Sequence, residues 1–344
     1  MARLMKPPAV ASNAGISIVA PASPAQQPER VELGLQALRA LGYAPKPGQN
    51  ALQSGPLYFA GTPKQRMADL HAAFADESTS AVMSLRGGYG SNYLLDGLNL
   101  ETIAARPKPF FAYSDLTGIQ LHLLDELGLP AFHGPMLAAD FCLPDGIHLD
   151  SFRAALKGEP YSVGAAEGLR VLKPGSRRKA VKGTLYGGCL SILVSLLGTL
   201  WEPRTEGTLL FLEDTGAKPY QIDRMLWQLR TAGKLSGVCG IVFGEMLDCA
   251  SPGAGAPADT VAPGERFFAR RGEVRSSSAG LGAAPGLLEQ AILSALSDFD
   301  GPIAIGLRSG HVSHQNVTLT FGVKAELTVG DTAHLNLLEP AVSK

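Results

Sequence analysis

The feature that most constrains this chain is an alternation over residues 16–128, where short apolar runs are each followed by apolar residues at helical spacing. Ile16-Ser17-Ile18-Val19-Ala20 stops at Pro21. Leu33, Leu35, Leu38 and Leu41 follow, and Gly42 supplies a helix stop. Ala81-Val82-Met83-Ser84-Leu85 reads as a buried strand ending in the turn Gly87-Gly88-Tyr89-Gly90. Pro109-Phe110-Phe111-Ala112-Tyr113 is another. It runs directly into Leu116, Ile119, Leu123 and Leu127, a helical spacing closed by Gly128. Repeated βα units of this kind predict an α/β fold with a parallel sheet and helices on its faces.

Around residues 157–182 the pattern fades into Gly, Pro, Lys and Arg. The expected organisation is a first domain over residues 1–160, a linker over 161–182 and a second domain over 183–344. The chain's 344 residues are enough for both. The second half opens with Gly183-Thr184-Leu185-Tyr186-Gly187-Gly188 and an apolar helix to about Leu197. Leu209 to Leu212 reads as a strand, Ile222, Met225, Leu226 and Leu229 as one face of a helix, and Val238 to Phe243 as a further strand. Val317, Leu319 and Phe321 alternate with Thr318 and Thr320, which predicts a strand with one wet face. The second domain is therefore expected to be mixed α/β with more antiparallel character. Residues 250–286, rich in Ala, Gly, Pro and Ser and carrying Arg270-Arg271, read as a mobile loop or an insertion.

Charge and cysteine usage exclude several classes. A formal net charge of −1 without a long basic run argues against nucleic-acid and anionic-membrane partners. No apolar run is long enough to span a bilayer, and the N-terminus lacks a sustained apolar signal segment, so a cytoplasmic location is expected. Cys142, Cys189, Cys239 and Cys249 form no Cys-x-x-Cys pair and read as reduced structural thiols rather than metal ligands; no metal or organic cofactor is expected.

Three polar sites fall at the C-terminal ends of apolar strands, where α/β proteins place their chemistry. In Tyr113-Ser114-Asp115-Leu116-Thr117 a strand meets a helix at Ser114. The layout is that of a nucleophile elbow without Gly-x-Ser-x-Gly, and it offers backbone N–H groups to a developing oxyanion. Glu213-Asp214 directly follows a buried strand, where a carboxylate could orient a histidine. His311 follows a strand and Gly310 and could act as a general base. Taken singly, Ser114 or Asp115 reads as a helix cap, Glu213 and Asp214 as loop carboxylates, and His311 as a structural histidine. The turn Arg86-Gly87-Gly88-Tyr89-Gly90 is not a dinucleotide fingerprint, but its glycines would let the backbone approach a substrate.

The set changes the balance. Leu85 through Gly90, Tyr113 through Thr117, His133-Gly134-Pro135-Met136, Glu213-Asp214 with Tyr220-Gln221-Ile222-Asp223-Arg224, and Gly310-His311 together resemble the LD-carboxypeptidase family, over about Ile16 to Leu327. That family comprises muramoyltetrapeptide carboxypeptidases and microcin C self-immunity proteins. The resemblance implies Ser114 as nucleophile, Glu213 as acid and His311 as base. It also implies backbone N–H groups of Gly88 and Asp115 as the oxyanion hole. It implies a Rossmann-like first domain, a second domain built around a small β-barrel, and a homodimer. The implied substrate is a murein peptide, from which terminal D-alanine is released in cell-wall recycling. The alternative within the family is a peptidyl or aminoacyl adenylate analogue. A non-catalytic binding protein and a nucleotide-binding protein are weaker readings, the first because Ser, Glu and His are all intact. Arg86 and Tyr89 are candidate substrate-binding residues, and Arg224 and Arg308 are further candidates for pairing with a substrate carboxylate. Ala112 and Ser309 depart from the family's usual Gly and aromatic residue.

Overall fold

The structure is a computed structural model that describes residues 3–176, 178–250 and 286–344. The 250–286 stretch thus falls almost wholly outside the described residues. The first half runs β1 (Gly15–Val19), α1 (Pro28–Ala40), β2 (Ala44–Pro47), α2 (Pro63–Ala75), β3 (Ala81–Ser84), α3 (Leu100–Ala105), β4 (Phe110–Ala112), α4 (Thr117–Leu127), β5 (Ala131–His133) and α5 (Leu149–Lys157). The second runs β6 (Ser162–Val163), β7 (Arg170–Lys173), β8 (Ala180–Cys189), α6 (Leu190–Ser195), β9 (Thr208–Glu213), α7 (Pro219–Thr231), β10 (Gly240–Gly244), α8 (Leu287–Ala295), β11 (Ile303–Leu307), β12 (Leu319–Phe321), β13 (Lys324–Val329) and β14 (Ala333–Leu337).

The local reasons are those the sequence offers. Pro28, Pro63 and Pro219 stand at helix starts, where a missing N–H costs nothing. Thr62 and Gln65 close a reciprocal cap on α2. Gly128 ends α4 in the left-handed conformation, with φ 70°. β1, β3, β4 and β5 are buried along their length, as strands covered on both faces must be.

Two mixed sheets result. The first has the order β12-β5-β4-β3-β1-β2 and the second β6-β14-β13-β8-β9-β10-β11-β7. In the first sheet β12 alone among the described strands is antiparallel; in the second, β8 to β11 are parallel and the flanking strands antiparallel. The stretch expected to be a linker contains β6, β7 and the start of β8, so it is woven into the second sheet. β12 returns from the second half to complete the first sheet. Thr318, just before it, and Thr320, within it, face no solvent, being 0% and 2% exposed. The expected wet face is covered, because α5 packs on β12 and supplies Ser151, whose Oγ accepts from the Thr318 N–H at 3.0 Å. The alternation was read correctly, but a helix from the other half lies over the threonine face.

α4 sits between the halves and is buried on nearly every side, from Thr117 to Asp125. Its apolar residues Ile119, Leu121, Leu123 and Leu124 fall on more than one face, so the helix is covered on more than one side. Gln120 Nε2 donates to the carbonyls of Phe110 and Phe132 at 3.1 and 3.0 Å, tying α4 to β4 and β5. On its other side the Cys189 N–H donates to Thr117 Oγ1 at 3.2 Å, and Tyr186 Oη donates to Asp125 Oδ2 at 2.9 Å, both from β8. No helix among the described residues is long and apolar enough to cross a membrane. Tyr186→Phe should therefore lower the unfolding free energy by about 1–3 kcal/mol, since it leaves a buried carboxyl without its donor; urea denaturation of both proteins measures it.

Candidate active site

Ser114 lies just past β4 with φ 66°, a left-handed conformation that a side chain rarely adopts. Such strain costs on the order of 1–3 kcal/mol and persists only where neighbours enforce it. Here they do. The Asp115 carboxylate accepts from the Ser91 N–H at 2.8 Å, and Ser91 Oγ donates to the Asp115 carbonyl at 2.6 Å. Arg66, fully buried, donates through Nη1 to the carbonyls of Pro21 and Gly90, the latter at 2.7 Å. The elbow and the Gly-rich turn are thus stitched into one unit. Burial raises the Asp115 carboxyl above its usual range against the pull of the Ser91 bonds and Arg66. Its side chain is spent on structure, which leaves its backbone for any oxyanion.

The Gly-rich turn touches the serine. A Cβ on Gly87 would lie 2.7 Å from Ser114 Cβ and 2.8 Å from its Oγ, so only glycine fits beneath the hydroxyl. Gly88 has φ 119°, and a Cβ there would meet Ser23 Oγ at 2.3 Å. Among the described residues the Gly88 N–H has no hydrogen-bond acceptor, whereas the next amide, Tyr89, donates to Ser23 Oγ at 3.1 Å. Tyr89 itself is 42% exposed and packs at the rim with Tyr58, Phe59 and Tyr93. The Arg86 guanidinium donates inward to the Pro24 carbonyl at 3.3 Å.

The other half supplies the charged pair. Glu213 ends β9 with no exposure, and its Oε2 accepts from His311 Nδ1 at 2.8 Å and from the His311 backbone N–H at 3.0 Å. Burial alone would push the Glu213 carboxyl up, but the adjacent His311 holds it below its ordinary value. For His311 burial acts downward, and the Glu213 carboxylate outweighs it and raises the imidazole. With Nδ1–H facing Glu213, Nε2 is left to act as a base. Two glycines make the pairing possible: a Cβ on Gly310 would strike Glu213 Cδ at 2.6 Å, and one on Gly244 would strike Glu213 Cβ at 2.7 Å. Asn316 brackets Gly310, accepting from its N–H and donating to its carbonyl, both at 3.0 Å.

The two sets meet through Tyr113. Its ring lies 5.1 Å from the His311 ring, nearly perpendicular, so the residue before Ser114 packs on the candidate base. His133 lies behind them, fully buried among Tyr113, Phe211 and Phe321. Burial drives its pKa down to about 4, so it stays neutral near pH 7. Among the described residues no group of three or more His, Cys, Asp or Glu side chains is placed to hold a metal ion. Ser23, Arg66, Ser91 and Asn316 were missed in the sequence. Only Ser91, a cap-type residue just after Gly90, carried a local signal.

Gly87→Ala should slow labelling of Ser114 by a fluorophosphonate probe on the order of 10²-fold, because a misplaced nucleophile loses its alignment. Unchanged far-ultraviolet circular dichroism would show that the backbone tolerates the methyl group, and an unchanged labelling rate would refute the contact's role.

Comparisons with known proteins place the chain in a family. The LD-carboxypeptidase N-terminal domain matches residues 16–134, and the LD-carboxypeptidase C-terminal domain matches residues 182–327. A probable murein peptide carboxypeptidase of Bacillus subtilis is 38% identical over 71% of this chain and 76% of its own length. The crystal structure of muramoyltetrapeptide carboxypeptidase from Oxalobacter formigenes covers 96% of this chain and 100% of its own, at 26% identity and TM-score 0.74. The microcin C7 self-immunity protein in its wild-type apo state shares the fold, with TM-score 0.81 at 22% identity over 98% of this chain and 100% of its own. Two matched domains, in the order and at the positions of the two sheets, establish that the chain belongs to the LD-carboxypeptidase family of peptidases.

Proposed function

We propose that the chain is a serine carboxypeptidase that releases the terminal D-alanine from murein tetrapeptide by a Ser114–His311–Glu213 triad. The observation that carries this reading is the buried Glu213–His311 pair at 2.8 Å, packed through Tyr113 against a serine in the left-handed elbow conformation. The substrate class is supported by the names of the Bacillus subtilis and Oxalobacter formigenes relatives.

The reading implies the following steps. His311 Nε2 takes the Ser114 hydroxyl proton as Oγ attacks the carbonyl between the L-centre of diaminopimelate and D-alanine. The N–H groups of Gly88 and Asp115 receive the tetrahedral oxyanion. The protonated imidazole, stabilised by ionised Glu213, gives its proton to the D-alanine nitrogen. The C–N bond breaks, D-alanine leaves, and an ester to Ser114 remains. Water then attacks that ester, losing a proton to His311. Ser114 regains its hydrogen and the shortened peptide departs. No step calls for a metal or an organic cofactor.

Wild-type protein should release D-alanine from murein tetrapeptide, and Ser114→Ala should reduce that release on the order of 10⁴-fold or more while remaining folded. A folded wild type that releases none would refute the substrate assignment. The raised His311 pKa gives the pH dependence its sign. The base works only when neutral, so kcat/KM should fall as the pH drops through a value above the ordinary histidine pKa of about 6.5. In Glu213→Gln the raising partner is gone. The acid limb should shift to lower pH and the rate should fall on the order of 10³-fold or more; a limb that does not move would contradict the pairing.

A further inference from the structure

Of the three arginines considered for a substrate carboxylate, the fold commits two. Arg86 donates to the Pro24 carbonyl, and Arg308 Nη2 donates to the Ala166 carbonyl at 2.6 Å. Arg224, on α7, is exposed and has no hydrogen bond or ion pair among the described residues. Its guanidinium carbon stands 5.5 Å from the centre of the Tyr220 ring, four residues earlier on the same helix. Such a contact covers one face of the guanidinium and leaves its in-plane N–H donors unspent, the arrangement that suits two parallel bonds to a carboxylate.

Those donors border a cavity of about 460 Å³, lined by Arg224 together with Ser191, Thr215, Gly216 and Gln221. Its wall at Thr215 is two residues along the chain from Glu213, the proposed triad acid. Ser191 is two past Cys189, whose N–H bonds Thr117 at the foot of the elbow. One carboxylate of the chain is already present, but it is occupied. Asp214 accepts from the Ser191 N–H and the Thr215 N–H, both at 2.8 Å, and so draws the two walls together rather than pairing with Arg224. Gln221 uses its Oε1 to accept from the Lys218 N–H at 2.7 Å, which leaves its amide nitrogen to donate. The lining therefore offers a cation, an amide donor and two hydroxyls, that of Ser191 also contacting Cys189 Sγ at 3.3 Å, and the neighbouring Asp214 carboxylate is turned to the backbone.

We propose that this cavity is a carboxylate subsite, in which Arg224 holds the side-chain carboxylate of the substrate residue that precedes the scissile bond. The assignment deepens the reading above. In a murein tetrapeptide that carboxylate is the one on the D-centre of diaminopimelate, and Arg224 becomes the residue that distinguishes diaminopimelate from a monocarboxylic residue such as lysine.

The test compares two tetrapeptides that differ at the third residue, one with diaminopimelate and one with L-lysine. Wild-type protein should favour the diaminopimelate peptide in kcat/KM by about tenfold or more, mainly through KM. Arg224→Gln should reduce that preference about 10- to 100-fold, the range expected for losing hydrogen bonds to a charged group, and Arg224→Lys should restore part of it. A preference that survives Arg224→Gln, or an equal loss on both peptides, overturns the subsite. Binding separates this outcome from failure of the carboxypeptidase reading. Ser114→Ala protein is titrated calorimetrically with the diaminopimelate peptide, alone and combined with Arg224→Gln. Weaker binding by the double variant supports the subsite even where wild type turns over neither peptide. Equal binding, or none by Ser114→Ala, overturns it.

Discussion

A carboxylate buried without partners would cost several kcal/mol, and Glu213 is buried completely. Much of the second half is arranged around meeting that cost. His311 approaches with both its ring N–H and its backbone N–H, which fixes the path of the chain after β11. That path passes so close to Glu213 that Gly244 and Gly310 can carry no side chain, and Asn316 must hold Gly310 in its turn. Among the described residues the second Glu213 oxygen, Oε1, has no hydrogen-bond partner, so His311 makes the hydrogen bonds this carboxylate receives there. A site of this kind resists small changes: removing His311 would strand the charge, and adding a methyl group at Gly310 would expel it.

The first half meets a different constraint. Ser114 is strained, and its restraints arrive from separate stretches of chain: Gly87 under the hydroxyl, Ser91 on Asp115, and Arg66 on the carbonyl of Gly90. Their distribution is what makes the strain sustainable, since no single local rearrangement relaxes it. The same bonds set the height of the Gly88 amide relative to the serine. On the proposed mechanism the donors to an oxyanion are therefore in place before any substrate arrives, and such preorganisation is usually the largest single contribution of a site of this kind.

The sequence carried the strand–helix alternation of the first half because each strand there is covered on both faces and reads as an unbroken apolar run. It singled out Ser114, Glu213 and His311 because each follows such a run, and because their order resembles a family pattern. It did not carry what depends on contacts between halves. Thr318 and Thr320 look solvent-facing until α5 is laid over them. β6 and β7 lie in a Gly- and Lys-rich stretch whose pairing partners, β14 and β11, are more than a hundred residues away. β13 shows a plain alternation of buried and half-exposed residues, so it was legible and overlooked. Arg66 and Asn316 act on backbone groups far along the chain, and no spacing rule announces such a bond.

Because Ser114 and His311 lie in different halves, α4 has to hold the two sheets in register, and it does so at both ends: Thr117 beside Ser114, and Asp125 near its C-terminus. Two titrating groups bear on this arrangement, Asp125 on α4 and His311 in the second half, and they respond differently to pH. Burial raises Asp125 to about 6, against the pull of Tyr186 and Arg204. A carboxyl whose folded pKa lies above its unfolded value stabilises the fold fully at low pH and loses that contribution as the pH rises through about 6. On the proposed mechanism His311 is a competent base only above its own raised value. Above about 6 the Asp125 carboxyl is ionised, and β8 is held against α4 by the Tyr186 hydroxyl donating to that carboxylate and by Arg204, which binds the Asp125 carbonyl at 3.0 Å and also pairs with Glu126.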